Sequence, residues 1–222
     1  MALTCIMAAL LTVHIVLQVW HYQWHKLPWL LLQIFDVNEE DALPTWYSAS
    51  LLLLASALLY IVSRRKRADG DPWMRYWYGL ALGFAFLSID EVAGFHETLN
   101  SLIDISWTIP GGVVAALVGL LYLRFLLHLP VRTRWLFVVS GCVFLGGALG
   151  VERWTDWYAE ENLRDTLAYN LWNAAEEGGE MGGVVLFIYA LVGYMGRGED
   201  VHVDVTVAGR DGQVKENPSR SA

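Results

Sequence analysis

The chain has 222 residues, 55% of them hydrophobic, with 11 Trp and a formal net charge of -8. An ordinary soluble domain is about 45–50% apolar and seldom carries long uncharged runs, so this composition speaks against a soluble fold and for a single-domain polytopic membrane protein. The acidic balance, with no Lys/Arg-rich face interleaved with exposed aromatics, speaks against nucleic-acid binding.

A helix crossing a bilayer needs about 20 predominantly apolar residues. The expected fold is therefore all-α: a polytopic transmembrane helical bundle of about six spans, with an interfacial helix between spans 1 and 2. Span 1 runs from about Leu3 to Trp20. It lacks a basic leader and carries His14, so it reads as a retained span and not a cleaved signal. Leu27 to Phe35 is too short to cross and fits an interfacial or re-entrant helix. Span 2 covers Trp46 to Val62, with Pro44 as its start signal. Span 3 covers Trp73 to Phe95, span 4 Pro110 to Leu127, span 5 Trp135 to Val151, and span 6 Ala175 to Met195. Residues 1–197 form the membrane domain. Residues 198–222 are a polar tail expected to be disordered and cytoplasmic, although V-H-V-D-V-T-V alternates like a strand. Cys5 and Cys142 fall inside apolar runs, where a thiol is expected as a buried small hydrophobe.

Lys and Arg placement sets orientation. Arg64, Arg65, Lys66 and Arg67 mark the span 2–3 turn as cytoplasmic, Arg132 and Arg134 the span 4–5 turn, and Arg197 the C-terminus. Both termini are then cytoplasmic, in an inner membrane. The acidic, Trp-rich segments 36–41 and 152–173 face outward.

Ionisable residues at membrane depth are costly and mark functional sites. Two runs carry them: L-S-I-D-E-V-A-G-F-H-E-T, holding Asp90, Glu91, His96 and Glu97, and N-A-A-E-E-G-G-E-M-G-G, holding Glu176, Glu177 and Glu180. The topology brings both to one depth under the outer surface, beside Glu152. At 3.6 residues per turn, Asp90 and Glu97 share a face, as do Glu176 and Glu180, while His96 points away. Gly178, Gly179, Gly182 and Gly183 permit close helix approach, so span 6 is expected to pack on span 3 with the acidic faces opposed. Solvated helix ends are the plainer account. The macrodipole favours Glu176, Glu177 and Glu180 at a helix start but disfavours Asp90 and Glu91 near a helix end.

Clustered carboxylates in a low dielectric need protons or cations. Arg153 and Arg164 are available in the outer segment. A divalent metal is the economical solution, with Asp90, His96, Glu97, Glu176, Glu177 and Glu180 as ligands and Glu91 as a general base. Zn, Fe or Mn suit that donor set. The Glu-x-x-His pairs of di-iron bundles do not occur at the cluster. Other polar residues weigh less: His14 reads as a core histidine, His21 and His25 as interface anchors, and Ser88 as a side chain able to bond into the site.

The runs D-A-L-P-T-W-Y-S-A-S-L-L-L-L, S-I-D-E-V-A-G-F-H-E and A-E-E-G-G-E-M-G-G resemble a group of uncharacterised bacterial polytopic membrane proteins. That resemblance implies a class and no mechanism. Alkaline-ceramidase-type membrane hydrolases also place Asp, Ser and His on spans, but this chain lacks their late histidine pair. Three functions compete: a metal-dependent enzyme acting on a lipid or other hydrophobic substrate, a proton- or cation-coupled transporter or channel component, and a structural or accessory subunit of a membrane complex. Expected partners are membrane lipid, a second copy, or a membrane complex.

Overall fold

In the computed structural model, residues 1–95, 98, 106–161 and 163–196 are described. The helices are α1 (Ala2–Gln23), α2 (Trp29–Phe35), α3 (Leu43–Ala68), α4 (Met74–Ala93), α5 (Thr108–His128), α6 (Val131–Leu145), a π-helical segment (Gly146–Val151), α7 (Glu152–Glu160) and α8 (Leu167–Met195). No strand occurs among the described residues. The polar tail expected from residue 198, with its alternating segment, lies outside them.

Among the described residues, five segments are long and apolar enough to cross a bilayer: α1, α3, α5, the run Val131–Tyr158 and α8. The chain is thus a multi-pass helical membrane bundle. The third expected span, α4, is not one of the five. Its 20 residues reach ~30 Å at 1.5 Å per residue, but Arg75 near its start and Asp90 and Glu91 near its end lower its hydropathy. The short helix expected between the first two spans is α2, with Trp29, Leu30, Leu31 and Ile34 exposed.

On α3, the buried residues Ser48, Leu52, Ala55, Leu59 and Val62 recur every three or four positions, which lays one seam along the helix. Helix α4 runs antiparallel along α3. The hydroxyl of Ser56 donates to the Ala81 carbonyl at 2.7 Å and that of Ser88 to the Ala49 carbonyl at 2.8 Å. Ser88 therefore stitches two helices and does not bond into the acidic site, because a membrane helix gains most by satisfying a hydroxyl on a neighbouring backbone. The two cysteines are also placed differently from expectation. Both are exposed, on the outer faces of α1 and α6, where an apolar environment is supplied by the bilayer and not by the core.

One end of the bundle is basic and aromatic. Trp77 is fully buried, edge-on to Phe125 at 4.9 Å and stacked on Tyr194 at 5.0 Å. The Arg134 guanidinium donates to the carbonyls of Leu126, Leu127 and Leu129. In the α3–α4 turn, the Asp71 carboxylate accepts from the Trp73 N–H at 2.8 Å and pairs with Lys66 at 3.0 Å. These contacts gather both basic turns and the end of α8 at one end of the molecule. The acidic runs occupy the other.

Helix α8 is the centre, packing on α6, the π segment, α1 and α3. Its glycines do not face α4, as the sequence suggested. A Cβ at Gly183 would lie 2.7 Å from the Phe144 amide nitrogen, and one at Gly147 would lie 2.5 Å from the Glu176 carbonyl oxygen. The glycine face therefore closes on α6 and the π segment. Helix α4 meets α8 through rings, Phe84 stacking on Phe187 at 4.7 Å. Aromatic spacers hold those backbones apart, so glycine is not required there.

This packing predicts a contrast between neighbours. Gly183→Ala forces a methyl into the Phe144 backbone and should cost ~1–3 kcal/mol, as overpacking does. A Cβ at Gly182 meets nothing within 4 Å, so Gly182→Ala should be neutral or slightly stabilising. Thermal unfolding in detergent checks this. Equal behaviour of the two variants would contradict the α6–α8 contact.

Candidate site at the acidic end of the bundle

Three elements deliver carboxylates to one place. Helix α4 brings Asp90 and Glu91 in its last turn and then stops, because Gly94 takes the left-handed conformation (φ +55°) that glycine adopts without strain. That stop breaks the helical phase assumed between Asp90 and Glu97, so a shared face no longer follows from their spacing. His96 and Glu97 lie outside the described residues.

The second element is the π segment G-G-A-L-G-V, whose wide turns carry the chain into α7 at Glu152. Single π turns inside helices recur at functional sites. Glu152 accepts a hydrogen bond from the Trp107 indole N–H at the start of α5. The third element is α8. Asn173, the adjacent pair Glu176 and Glu177, Glu180, Val184 and Phe187 recur at three- and four-residue spacings and form one stripe.

The π segment and α8 meet because Gly147 lies against the backbone of Glu176 and Glu180. Asp90, Glu91, Glu152, Glu176, Glu177 and Glu180 are all half-buried. The charges acting most strongly on Glu180 are those of Glu91, Glu176, Glu152 and Asp90. Those on Glu177 are Glu180, Glu91, Glu176 and Glu152. Among the described residues, these neighbours are carboxylates. Arg153, a candidate counter-charge from the sequence, instead pairs with Asp156 at 3.4 Å on the surface, where its guanidinium stays hydrated. Arg164 is exposed.

Two further polar groups adjoin the carboxylates. The Thr155 hydroxyl lies 2.9 Å from the Glu152 carbonyl and 3.3 Å from Glu176 Oε2. It carries one proton and serves one of them at a time. Asn173 is 2% exposed, and its Nδ2 has no hydrogen-bond partner among the described residues. A buried amide N–H left unsatisfied costs ~1–3 kcal/mol. It stands one turn before Glu176 and Glu177 on the same stripe, a spacing legible in N-A-A-E-E. Thr155 and the Trp107–Glu152 bond left no comparable signal, because they depend on the π turn and on how α5 docks.

Among the described residues, no three or more His, Cys, Asp and Glu side chains stand in a ready-made metal geometry.

His14 and His21 have structural roles. His14 is 1% exposed, with Nε2 3.3 Å from the Asn170 carbonyl and Nδ1 3.4 Å from the Val37 amide and 3.8 Å from Asp36. It is a core histidine tying α1, α8 and the chain after α2 together. It has an acidic neighbour in space that the span around it does not reveal. His21 Nδ1 accepts the Leu27 N–H at 3.0 Å, closing the turn after α1.

The sequence matches a family described as a domain of unknown function, DUF8692, over residues 3–194. No curated protein and no solved structure matches the chain. The family match runs from α1 to α8 and so takes in each element that supplies a carboxylate to the site. The chain belongs to the DUF8692 family.

Proposed function

We propose that the acidic end of the bundle is a divalent-cation site within the membrane, serving a metal-dependent reaction on a lipid or other hydrophobic molecule. Asp90, Glu176, Glu177 and Glu180 hold the ion with Glu152, and His96 and Glu97 follow closely enough in the chain to complete the shell. The observation that carries the reading is the convergence of six half-buried carboxylates from three elements, among which Glu177 and Glu180 feel the charges of Glu91, Glu152 and Glu176. At 4 Å two like charges repel by ~4 kcal/mol at an effective dielectric of 20, and protons or a cation relieve that repulsion; of the two we propose the cation. A bound divalent ion supplies Lewis acidity and a water of lowered pKa. Glu91, on the α4 side, is the carboxylate placed to take the proton from such a water. A transport pathway has less support. Beyond Glu180 the buried face of α8 is Met181, Val184, Phe187, Ile188 and Leu191, which offers no polar relay toward the basic end.

In this proposal the basic turns face the cytoplasm of a cell with an inner membrane, and the cluster lies under the outer leaflet. A single cysteine placed at Leu163, in a variant lacking Cys5 and Cys142, should react with an impermeant maleimide on intact spheroplasts. Reaction only after the membrane is permeabilised would reverse the orientation.

Purified protein should contain divalent metal, and saturating it at about 100 times Kd should stabilise the fold by ~2.7 kcal/mol. Glu180→Gln, which keeps shape and removes charge, should lose both the metal and the stabilisation. Glu161→Gln, at an exposed position, should keep both. Elemental analysis with thermal unfolding decides it. No bound metal and no shift with Mn, Fe, Zn, Mg or Ca would refute the metal reading.

A further inference from the structure

Helix α5 is fastened to the bundle near its two ends. At its start, Leu149 of the π segment lies 3.4 and 3.9 Å from where Cβ atoms of Gly111 and Gly112 would be, and the Trp107 indole donates to Glu152. Toward its end, the Tyr122 hydroxyl donates to the Tyr76 carbonyl at 3.1 Å and stands over Gly79, while Phe125 packs among Trp73, Tyr76 and Trp77. Between these fastenings, beside Val118 and Gly119, lies a cavity of about 200 Å³ walled by α4, α5, α6 and α8. No charged side chain lines it among the described residues. Its polar side chains are satisfied within the wall, since Ser140 donates to the Phe137 carbonyl at 2.9 Å and Tyr122 is bonded as above. An engineered apolar cavity of about 150 Å³ stays dry and binds benzene, so this one suits hydrocarbon and not water. Val118 and Gly119 are exposed, and they belong to a membrane span that is almost unburied within the protein. The cavity therefore opens sideways, onto the bilayer.

We infer that this cavity holds one acyl chain of a bilayer phospholipid, with the glycerol toward the basic end of the bundle. Direction, length and depth select that occupant. The lining follows the helix axis from Val118 to Leu126 on α5, ~12 Å at 1.5 Å per residue. A leaflet contributes half of a hydrocarbon core about 30 Å thick, so the cavity has the length of one leaflet's chain and lies along it. Val118 is the midpoint of α5, and Leu126 stands two residues before its end at His128. The cavity thus occupies the half of the span nearest the basic turns, which assigns the chain to that leaflet. A void leaves its lining without dispersion partners. An acyl chain entering from the bilayer restores those contacts and desolvates no polar group. The inference does not use the carboxylates and stands apart from the metal reading. A Cβ at Gly119 or at Gly141, both in the lining, meets nothing within 4 Å, so a leucine at either takes space the chain would fill.

The test uses the full chain in phosphatidylcholine nanodiscs doped with phosphatidylcholine that carries a diazirine on one acyl chain. After photolysis and peptide mapping, a diazirine near the chain end should label Leu87 and Phe144. A diazirine near the glycerol should label Leu80 and Phe137 instead, because those residues lie nearer the basic end. Gly119→Leu and Gly141→Leu should each bring label at these four sites to background, without lowering the unfolding temperature, while label on exposed Leu121 persists. The order of depth is read in the wild-type protein alone, so it decides the matter even if a leucine variant fails to fold. Wild-type label confined to Leu121 and other outward residues overturns the proposal. So does a reversed or absent order of depth, or cavity label that survives both leucine substitutions. Metal content of the same preparations should not change with either substitution, so failure of this inference and failure of the metal reading are separate results.

Discussion

Backbone contact between the π segment and α8 sets the arrangement of the acidic end. Gly147 lies where any side chain would collide with the Glu176 carbonyl, and Gly183 lies where any side chain would collide with the Phe144 backbone. Within a bilayer, helices gain little from burying apolar surface against one another, and van der Waals approach through small residues drives their association. Here that approach has a chemical result. It fixes Glu152, which follows the π turn, beside the stripe of α8 that carries Glu176, Glu177 and Glu180. Helix α4, held on α3 by two serine hydroxyls, adds Asp90 and Glu91 from the other side.

Such an arrangement carries an electrostatic cost that packing alone does not explain. Helix-end preference accounts for Glu176 and Glu177 poorly, because α8 begins at Leu167, more than two turns earlier. It does not account for Asp90 and Glu91 at all, since they stand in the last turn of α4, where the macrodipole disfavours negative charge. Protons or the proposed cation would relieve both.

Much of the fold was legible in the sequence because membrane helices declare themselves by length and apolarity. The spans matched by α1, α3, α5, α6 and α8 are of this kind. Helix α4 was legible as a helix but falls short in hydropathy, through the same two acids that mark the site. The convergence of the two acidic runs with Glu152 followed from topology, as residues near the same ends of successive spans reach one depth. What the sequence did not specify was pairing. The glycines of α8 signalled close approach to some neighbour, but the neighbour is α6 and not α4, because nothing in a glycine names its partner. The π turn was hidden for a related reason: G-G-A-L-G-V also reads as ordinary helix, and only the docking of α8 selects the wider form. Ideal-helix phase cannot be carried past Gly94, the left-handed residue that closes α4.

Diffraction from crystals soaked in Mn²⁺, recorded at a wavelength where manganese scatters anomalously, addresses the account most directly. The account predicts an anomalous peak among Glu91, Glu152, Glu176 and Glu180, with carboxylate oxygens at coordination distance. An ordered acidic end with no peak there, and an arginine or lysine head filling the space between those carboxylates, would contradict it.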